Sequence, residues 1–293
     1  MELRLLATFE KVADVLSFTR AATELGYAQS SVTAQIRSLE SSLGVDLFER
    51  LGSRIRLTEA GERLLPYAHR MRDLAEEART AVAATAEPSG PIAVGTMESL
   101  TSYRLPPLLE YFHHRYPKVR LTLRPTLGDE TRKALRQGTY DVGFLMEPET
   151  EHEGLETEVL APEPLALVAS PGHALATRTS LTSADLAGTQ LLGTEPGCPY
   201  RDLFEAELRE WAPPFMEFGT IEATKRGVAA GLGVALLPRV TVAEELESGV
   251  LVELPWEAPF TLFTQLAWRR GKRLPAHVRL FVEQARRLVR ESP

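Results

Sequence analysis

Between residues 29 and 37 the chain reads QSSVTAQIR, which sets Gln29, Ser30, Ser31, Thr33, Gln35 and Arg37 close together with no carboxylate among them. Such side chains read base edges: an amide bonds adenine in two places, a hydroxyl donates or accepts, and a guanidinium suits guanine or a phosphate. Arg54 and Arg56 follow, two apart in a short strand-like run, so they share a face on which phosphates can sit. A second kind of chemistry lies downstream, where strand-like runs give way to helices. Met97, Glu98, Ser99, Leu100 and Thr101 form one such turn, Thr194 with Gly197, Cys198, Tyr200 and Arg201 a second, and Gly219-Thr220-Ile221-Glu222 a third. Hydroxyls, first-turn N–H groups and the Arg201 guanidinium suit a small carboxylate or other anion. Glu98 and Glu222 suit an amine, and an amino-acid-like zwitterion reconciles the two. Cys198 is the only cysteine. Its place before Pro199 and near Arg201 favours a thiolate, so a one-cysteine redox sensor is the alternative reading. No second cysteine is present to resolve a sulfenic acid, and a thiol that merely packs in a ligand cleft is the plainer expectation.

The elements that must position these groups follow from periodicity. Leu3, Leu6, Phe9, Val12, Ala13 and Leu16 predict a first amphipathic helix over residues 3–16. Ser17 can cap a second helix from Thr19 to Leu25, and Gly26 supplies the left-handed turn that ends it. Val32, Ile36, Leu39 and Leu43 then form the buried stripe of a third helix, with the base-reading side chains opposite. Asp46 to Glu49 and Ile55 to Leu57 predict a hairpin turning near Gly52-Ser53, which makes the module a winged helix-turn-helix. From Glu59 to about Thr85, Leu64, Ala68, Met71, Ala75, Ala78 and Val82 repeat as a heptad seam, with Pro66 as a kink or a fresh start. The helix stops at AEPSGP. Beyond it strand and helix signals alternate, with strands at Ile92–Gly95, Val119–Leu123, Asp141–Leu145, Leu165–Ala169, Gln190–Leu192 and Val234–Leu237. Helices stand at Leu105–Tyr116 and Thr131–Gln137 and begin near Pro199 and Glu222. The class is α/β.

Phe18, Ala21-Ala22, Gln29, Gln35-Ile36, Leu39-Glu40, Leu43-Gly44, Leu47-Phe48 and the TEAG of Thr58 to Gly61 resemble the DNA-binding domain of LysR-type transcriptional regulators. The resemblance covers essentially the full length. Two departures stand out: Ala28 occupies a position usually Ser or Thr, and Ser30 one that is often Pro, so Ser30 is expected to cap a recognition helix that starts later. The family likeness implies a winged helix-turn-helix over 1–58, a linker and dimerisation helix over 59–87, and a two-lobed α/β effector-binding domain over 92–293 that resembles periplasmic solute-binding proteins. Lobe I would take 92–161 and 267–293, lobe II 162–266, with the chain crossing near Ala161-Pro162 and returning near Leu266. It also implies that the three downstream turns converge on one interlobe cleft. The implied partners are promoter DNA, a small-molecule effector and further copies of the chain, as a homodimer or homotetramer.

Composition agrees and narrows. The chain has 293 residues, 44% hydrophobic and 25% charged, as ordinary globular proteins do. The longest weakly polar run, Gly227 to Pro238, falls short of the roughly 18 apolar residues that a membrane span needs. Glu2, Glu10 and Asp14 interrupt any signal-peptide core, so a cytoplasmic protein is expected. Net charge is −7, and residues 1–90 hold 11 Lys and Arg against 13 Asp and Glu. DNA binding must therefore rest on local potential around Arg37, Arg50, Arg54 and Arg56, with few phosphate contacts. Enzyme motifs are missing: there is no phosphate loop, HExxH or G-x-S-x-G, and no cofactor is implied. Gly231-Leu232-Gly233 precedes a strand and lacks a third glycine, so it is a helix-to-strand turn. His113-His114 sits on a polar helix face.

Overall fold

The computed structural model describes residues 2–51, 54–82 and 87–291, with side chains throughout except at 50, 51, 54, 73, 76, 77, 79–82, 290 and 291. The chain falls into two compact units, one built on Met1–Glu87 and one on Pro88–Leu135, Tyr140–Lys272 and His277–Pro293.

The first unit runs α1 (Leu3–Val15), α2 (Phe18–Leu25), α3 (Gln29–Leu43), β1 (Phe48–Leu51), β2 (Arg54–Leu57) and α4 (Glu59–Val82). Ser17 caps α2 by accepting from the Arg20 N–H at 3.2 Å, and Gly26 at φ 69° ends it. Phe9, Val12, Ala21, Val32, Ile36 and Leu39 form the fully buried core. Two expectations are corrected here. The apolar stripe of α3 stops at Leu39, because Leu43 is 38% exposed just before Gly44 turns left-handed. Nor does α3 start late under a Ser30 cap: it starts at Gln29, with Ala28 as an N-cap that makes no side-chain bond. A missing cap costs about 1 kcal/mol, less than burying Val32 and Ile36 returns.

The Glu40 carboxylate pins the start of the wing, accepting from the N–H groups of Leu47 at 2.9 Å and Phe48 at 3.3 Å. The wing pairs Phe48 with Leu57 and Glu49 with Arg56; its expected turn at Gly52-Ser53 lies outside the described residues. The TEAG segment then has a physical reading. Thr58 donates to the Asp46 carbonyl and caps α4 by accepting from the Gly61 N–H, and a Cβ on Gly61 would lie 2.3 Å from the Leu47 oxygen. The expected seam of α4 also needs correction, because Ala68 is fully buried and Leu64, Leu65 and Met71 pack on this unit's own core. Among its described apolar side chains, α4 leaves exposed Tyr67 at 56%, Leu74 at 66% and, a turn further on, Ala78.

The second unit holds two sheets' worth of parallel strand ends. In the first lobe β3 (Gly90–Thr96), β4 (Val119–Pro125), β5 (Val142–Glu147), β6 (Leu155–Glu163) and β12 (Leu262–Arg269) form a five-stranded sheet in the order β4-β3-β5-β12-β6. The strands β3, β4 and β5 are parallel, and β12 runs antiparallel between β5 and β6. Packed on it are a π-helical turn at Leu100–Arg104, α5 (Pro106–Arg115), α6 (Gly128–Gln137) and, from the far end of the chain, α10 (Ala276–Glu291). Pro106 and Pro107 explain the widened turn: neither has an N–H to continue an ordinary helix, and Leu105 bonds back to the Leu100 carbonyl instead. In the second lobe β7 (Leu165–Ala169) lies between β10 (Ala235–Pro238) and β11 (Val252–Glu253), while β8 (Leu191–Gly193) pairs in parallel with β9 (Phe215–Glu217). The helices α7 (Pro199–Glu207), α8 (Ile221–Ala229) and α9 (Ala243–Glu247) complete it. The chain leaves the first sheet at the end of β6 and re-enters it at the start of β12, so Ala161-Pro162 and Leu266 lie inside paired strands. Where the lobes are tied together, Arg104 forks onto Glu163 with bonds of 3.0 and 3.1 Å, and Thr264 donates to the same carboxylate. No helix among the described residues is long and apolar enough to cross a membrane.

Candidate functional site

On α3 the sequence-predicted residues lie on the face away from Val32, Ile36 and Leu39. Gln29, Ser30, Ser31 and Arg37 are exposed, and Arg37 makes no ion pair among the described residues. Thr33 and Gln35 are half-buried. The Thr33 hydroxyl donates to the Gln29 carbonyl at 3.0 Å, and the Gln35 carbonyl oxygen accepts at 2.7 Å from Thr8, which is buried. Gln35 therefore keeps only its NH₂ donors for a base. On the wing Arg56 forms an ion pair with Glu49, and the Arg54 side chain lies outside the described residues.

The second lobe and the first meet around a cavity of about 480 Å³, the size of a small-metabolite site. Strand ends feed it from both sides: β3 leads into Met97, Glu98 and Ser99, β4 into Pro125, Thr126 and Leu127, β8 into Thr194 and Glu195, and β9 into Gly219, Thr220 and Ile221. Ligands bind beyond the carboxyl ends of parallel strands because the turns there are free of sheet pairing and open helix N-termini. Glu130, Cys198 and Tyr200 complete the wall. Two hydroxyls stand out in it. Ser99 Oγ and Thr194 Oγ1 are buried without a hydrogen bond of normal geometry, although Thr194 sits beside the Cys198 thiol and the Tyr200 hydroxyl. A buried polar group left unmade costs about 1–3 kcal/mol, so the Ser99 hydroxyl in this wall offers hydrogen-bonding capacity that the protein itself does not use.

Five of the expected cleft residues are not in this wall: Leu100, Thr101, Gly197, Arg201 and Glu222. Leu100 is buried core, Thr101 donates to the Met97 carbonyl, and the Gly197 N–H goes to Asp202. Arg201 is spoken for. Its Nε donates to Glu205 and its Nη1 to Glu217, each at 3.0 Å, a further bond goes to the Thr194 carbonyl, and the guanidinium stacks 4.2 Å over Phe215. Glu222 faces outward to Arg226 and Lys225, whose bonds to it hold its carboxyl below the usual range. These two were expected as ligand groups because one-dimensional proximity to a helix start does not show which way a side chain turns. Conversely, β4's end and Glu130 went unnoticed: nothing in the spacing singles out Pro125-Thr126-Leu127, whose role depends on the β3–β4 pairing.

Cys198 is 2% exposed, and burial pushes its thiol pKa up, with Glu195 adding to the effect and bonds from Thr194 and Tyr200 opposing it. The thiolate expected from the helix start and Arg201 is therefore corrected: Arg201 has spent its charge on two carboxylates, and desolvation prevails. Tyr200, also buried, is raised well above its ordinary value for the same reason.

Residues 3–62 match the family model "Bacterial regulatory helix-turn-helix protein, lysR family", and residues 85–290 match "LysR substrate binding domain". The chain is 40% identical over 290 residues to the HTH-type transcriptional regulator YwqM of Bacillus subtilis (strain 168), spanning 98% of this chain and 99% of YwqM. Among solved structures, a cysteine-to-aspartate variant of full-length OxyR from Pseudomonas aeruginosa superposes with a TM-score of 0.80 at 27% identity, over 100% of this chain and 95% of that one. Full-length CbnR complexed with its target DNA superposes with a TM-score of 0.64 at 26% identity, over 98% and 99%. A helix-turn-helix with a wing, joined to a two-lobed α/β unit, defines a DNA-binding transcriptional regulator with an effector-binding domain. The chain belongs to the LysR family of these regulators, which bind promoter DNA, answer to effectors and oligomerise.

Proposed function

We propose that this regulator reads promoter DNA with Gln29, Ser30, Ser31, Thr33, Gln35 and Arg37 on α3, steadied by Arg54 and Arg56 on the wing, and that it answers to a small amino-acid-like metabolite bound between the lobes. The exposed face of α3 supports the first half, since from Gln29 to Ser38 it offers donors and acceptors and no carboxylate. Glu49 competes with phosphate for Arg56, so Arg37 is the more available cation. The observation that carries the second half is the buried, unpartnered Ser99 hydroxyl of the first lobe, which shares a single cavity wall with the buried Thr194 hydroxyl of the second. A simple carboxylate fits less well than a ligand with an amine, because Arg201 is withdrawn into its own ion pairs. Metabolite and DNA are linked by preference: the ligand shifts the oligomer between two arrangements only as far as it prefers one of them.

The boundaries that go with this reading are a DNA-reading module over 1–58, a linker over 59–87 that joins two copies through its exposed face, and a sensing unit over 92–293. The redox alternative at Cys198 has less support, since a buried thiol with a raised pKa is a poor nucleophile toward peroxide. Gly219→Trp tests the sensing half. Gly219 lines the cavity, its φ is not left-handed and a Cβ there meets nothing within 4 Å, so the position accepts a side chain and an indole is the bulkiest obstruction to place at the cavity wall. Operator binding should persist and the metabolite response vanish; a response that survives would rule out this cleft.

A further inference from the structure

We infer that the effector carries a net positive charge, so that within the amino-acid-like class it is a basic, ammonium-bearing member with at least one uncharged hydrogen-bonding group and not an acidic one; this rests on the interlobe cavity being the effector site. Three carboxylates line the cavity, Glu98, Glu130 and Glu195, and no lysine, arginine or histidine does. Neither Glu130 nor Glu195 has a side-chain partner among the described residues, so two of the three charges are uncommitted. Glu130 and Glu195 are exposed and Glu98 half-buried, so solvent screens them in part, yet three charges of one sign with no cation among the lining residues still draw cations and repel anions.

Several of the groups that could hold an anion are already engaged. At the start of α8 the Ile221 N–H is turned to the Glu98 carboxylate, at 3.4 Å across the cleft, and the Ala223 N–H goes to Thr220 at 3.1 Å. At the start of α7 Pro199 has no N–H to give, and the Gly197 N–H is taken by Asp202 at 3.0 Å. Arg201, adjacent in sequence to the lining residue Tyr200, is committed to Glu205 and Glu217. An incoming carboxylate would displace one of the protein's own carboxylates and face the other two. An ammonium instead finds three acceptors, while Ser99 and Thr194 offer the buried hydroxyls that an uncharged amide or hydroxyl of the same molecule would complete.

The experiment is titration calorimetry of the full-length protein with aminopentanol, cadaverine, aminopentanoate and glutarate, a charge series of one chain length, repeated on Glu130→Gln with Glu195→Gln and on Gly219→Trp. Binding should follow positive charge, with glutarate silent. The double variant should weaken the amines by at least roughly 10-fold, as loss of charge-assisted bonds does, while the neutral-pH melting temperature stays within a few degrees. Glutarate binding as tightly as the amines, amines that do not bind, or amines indifferent to the double variant would each overturn the charge assignment. Amines that bind Gly219→Trp as well as wild type would contradict the cleft reading beneath it.

Discussion

Gln29 is the side chain on which sequence reading depends most. With α3 docked by its exposed face, Gln29→Ala should lower specific DNA affinity by about 1–3 kcal/mol and relax preference at one base position per half-site, read by titration against duplexes that vary one base at a time. Equal loss on every sequence would make Gln29 a backbone contact. Arg201 carries the opposite lesson. Its bonds to Glu205, Glu217 and the Thr194 carbonyl make it a brace for the second lobe, so Arg201→Ala should cost about 2 kcal/mol of stability in denaturant unfolding and alter the effector response only through that loss. Cys198 sets a pH test. Its folded pKa lies above its unfolded one, so its contribution to stability is complete below the unfolded value and declines as pH rises toward the folded value. Native protein at neutral pH should therefore alkylate with iodoacetamide far more slowly than unfolded protein, and a native rate equal to that of a free thiol would reinstate the redox reading.

At the scale of elements, legibility followed period and local chemistry. The spacing of Ala21, Val32, Ile36 and Leu39 marks the helix-turn-helix because each is buried within one short three-helix module, and Leu165–Ala169 is bounded in sequence as in structure because Pro164 and the Ser170-Pro171 turn bracket it. β6, β12 and α10 were not resolved as elements: β12 is buried along Thr264, Gln265, Leu266 and Ala267, which erases alternation, and its place between β5 and β6 is a long-range pairing. The α4 seam misled for a related reason. A heptad marks an apolar stripe without saying which surface covers it, and here the first half of the stripe covers its own unit. Leu74→Glu, at 66% exposed, should therefore weaken self-association in sedimentation more than Met71→Glu, which should instead lower the melting temperature. The reverse ranking would return the partner surface to the original seam.

The whole molecule carries two chemically distinct tasks, DNA reading and effector binding. A net charge of −7 leaves DNA affinity to a few local cations, so binding should be strongly salt-dependent and weak on unrelated DNA. The same acidity suits the proposed cationic effector, since Glu98, Glu130 and Glu195 line the cavity. The most direct measurement is recovery of protein-bound genomic DNA from cells carrying wild type and Gly219→Trp, grown with and without an amine that binds the purified protein. The account predicts one shared set of promoter sites for both proteins, with amine-dependent changes in footprint or occupancy only for wild type. Site sets that differ between the two proteins in the absence of the amine, or an amine response that persists in Gly219→Trp, would contradict it.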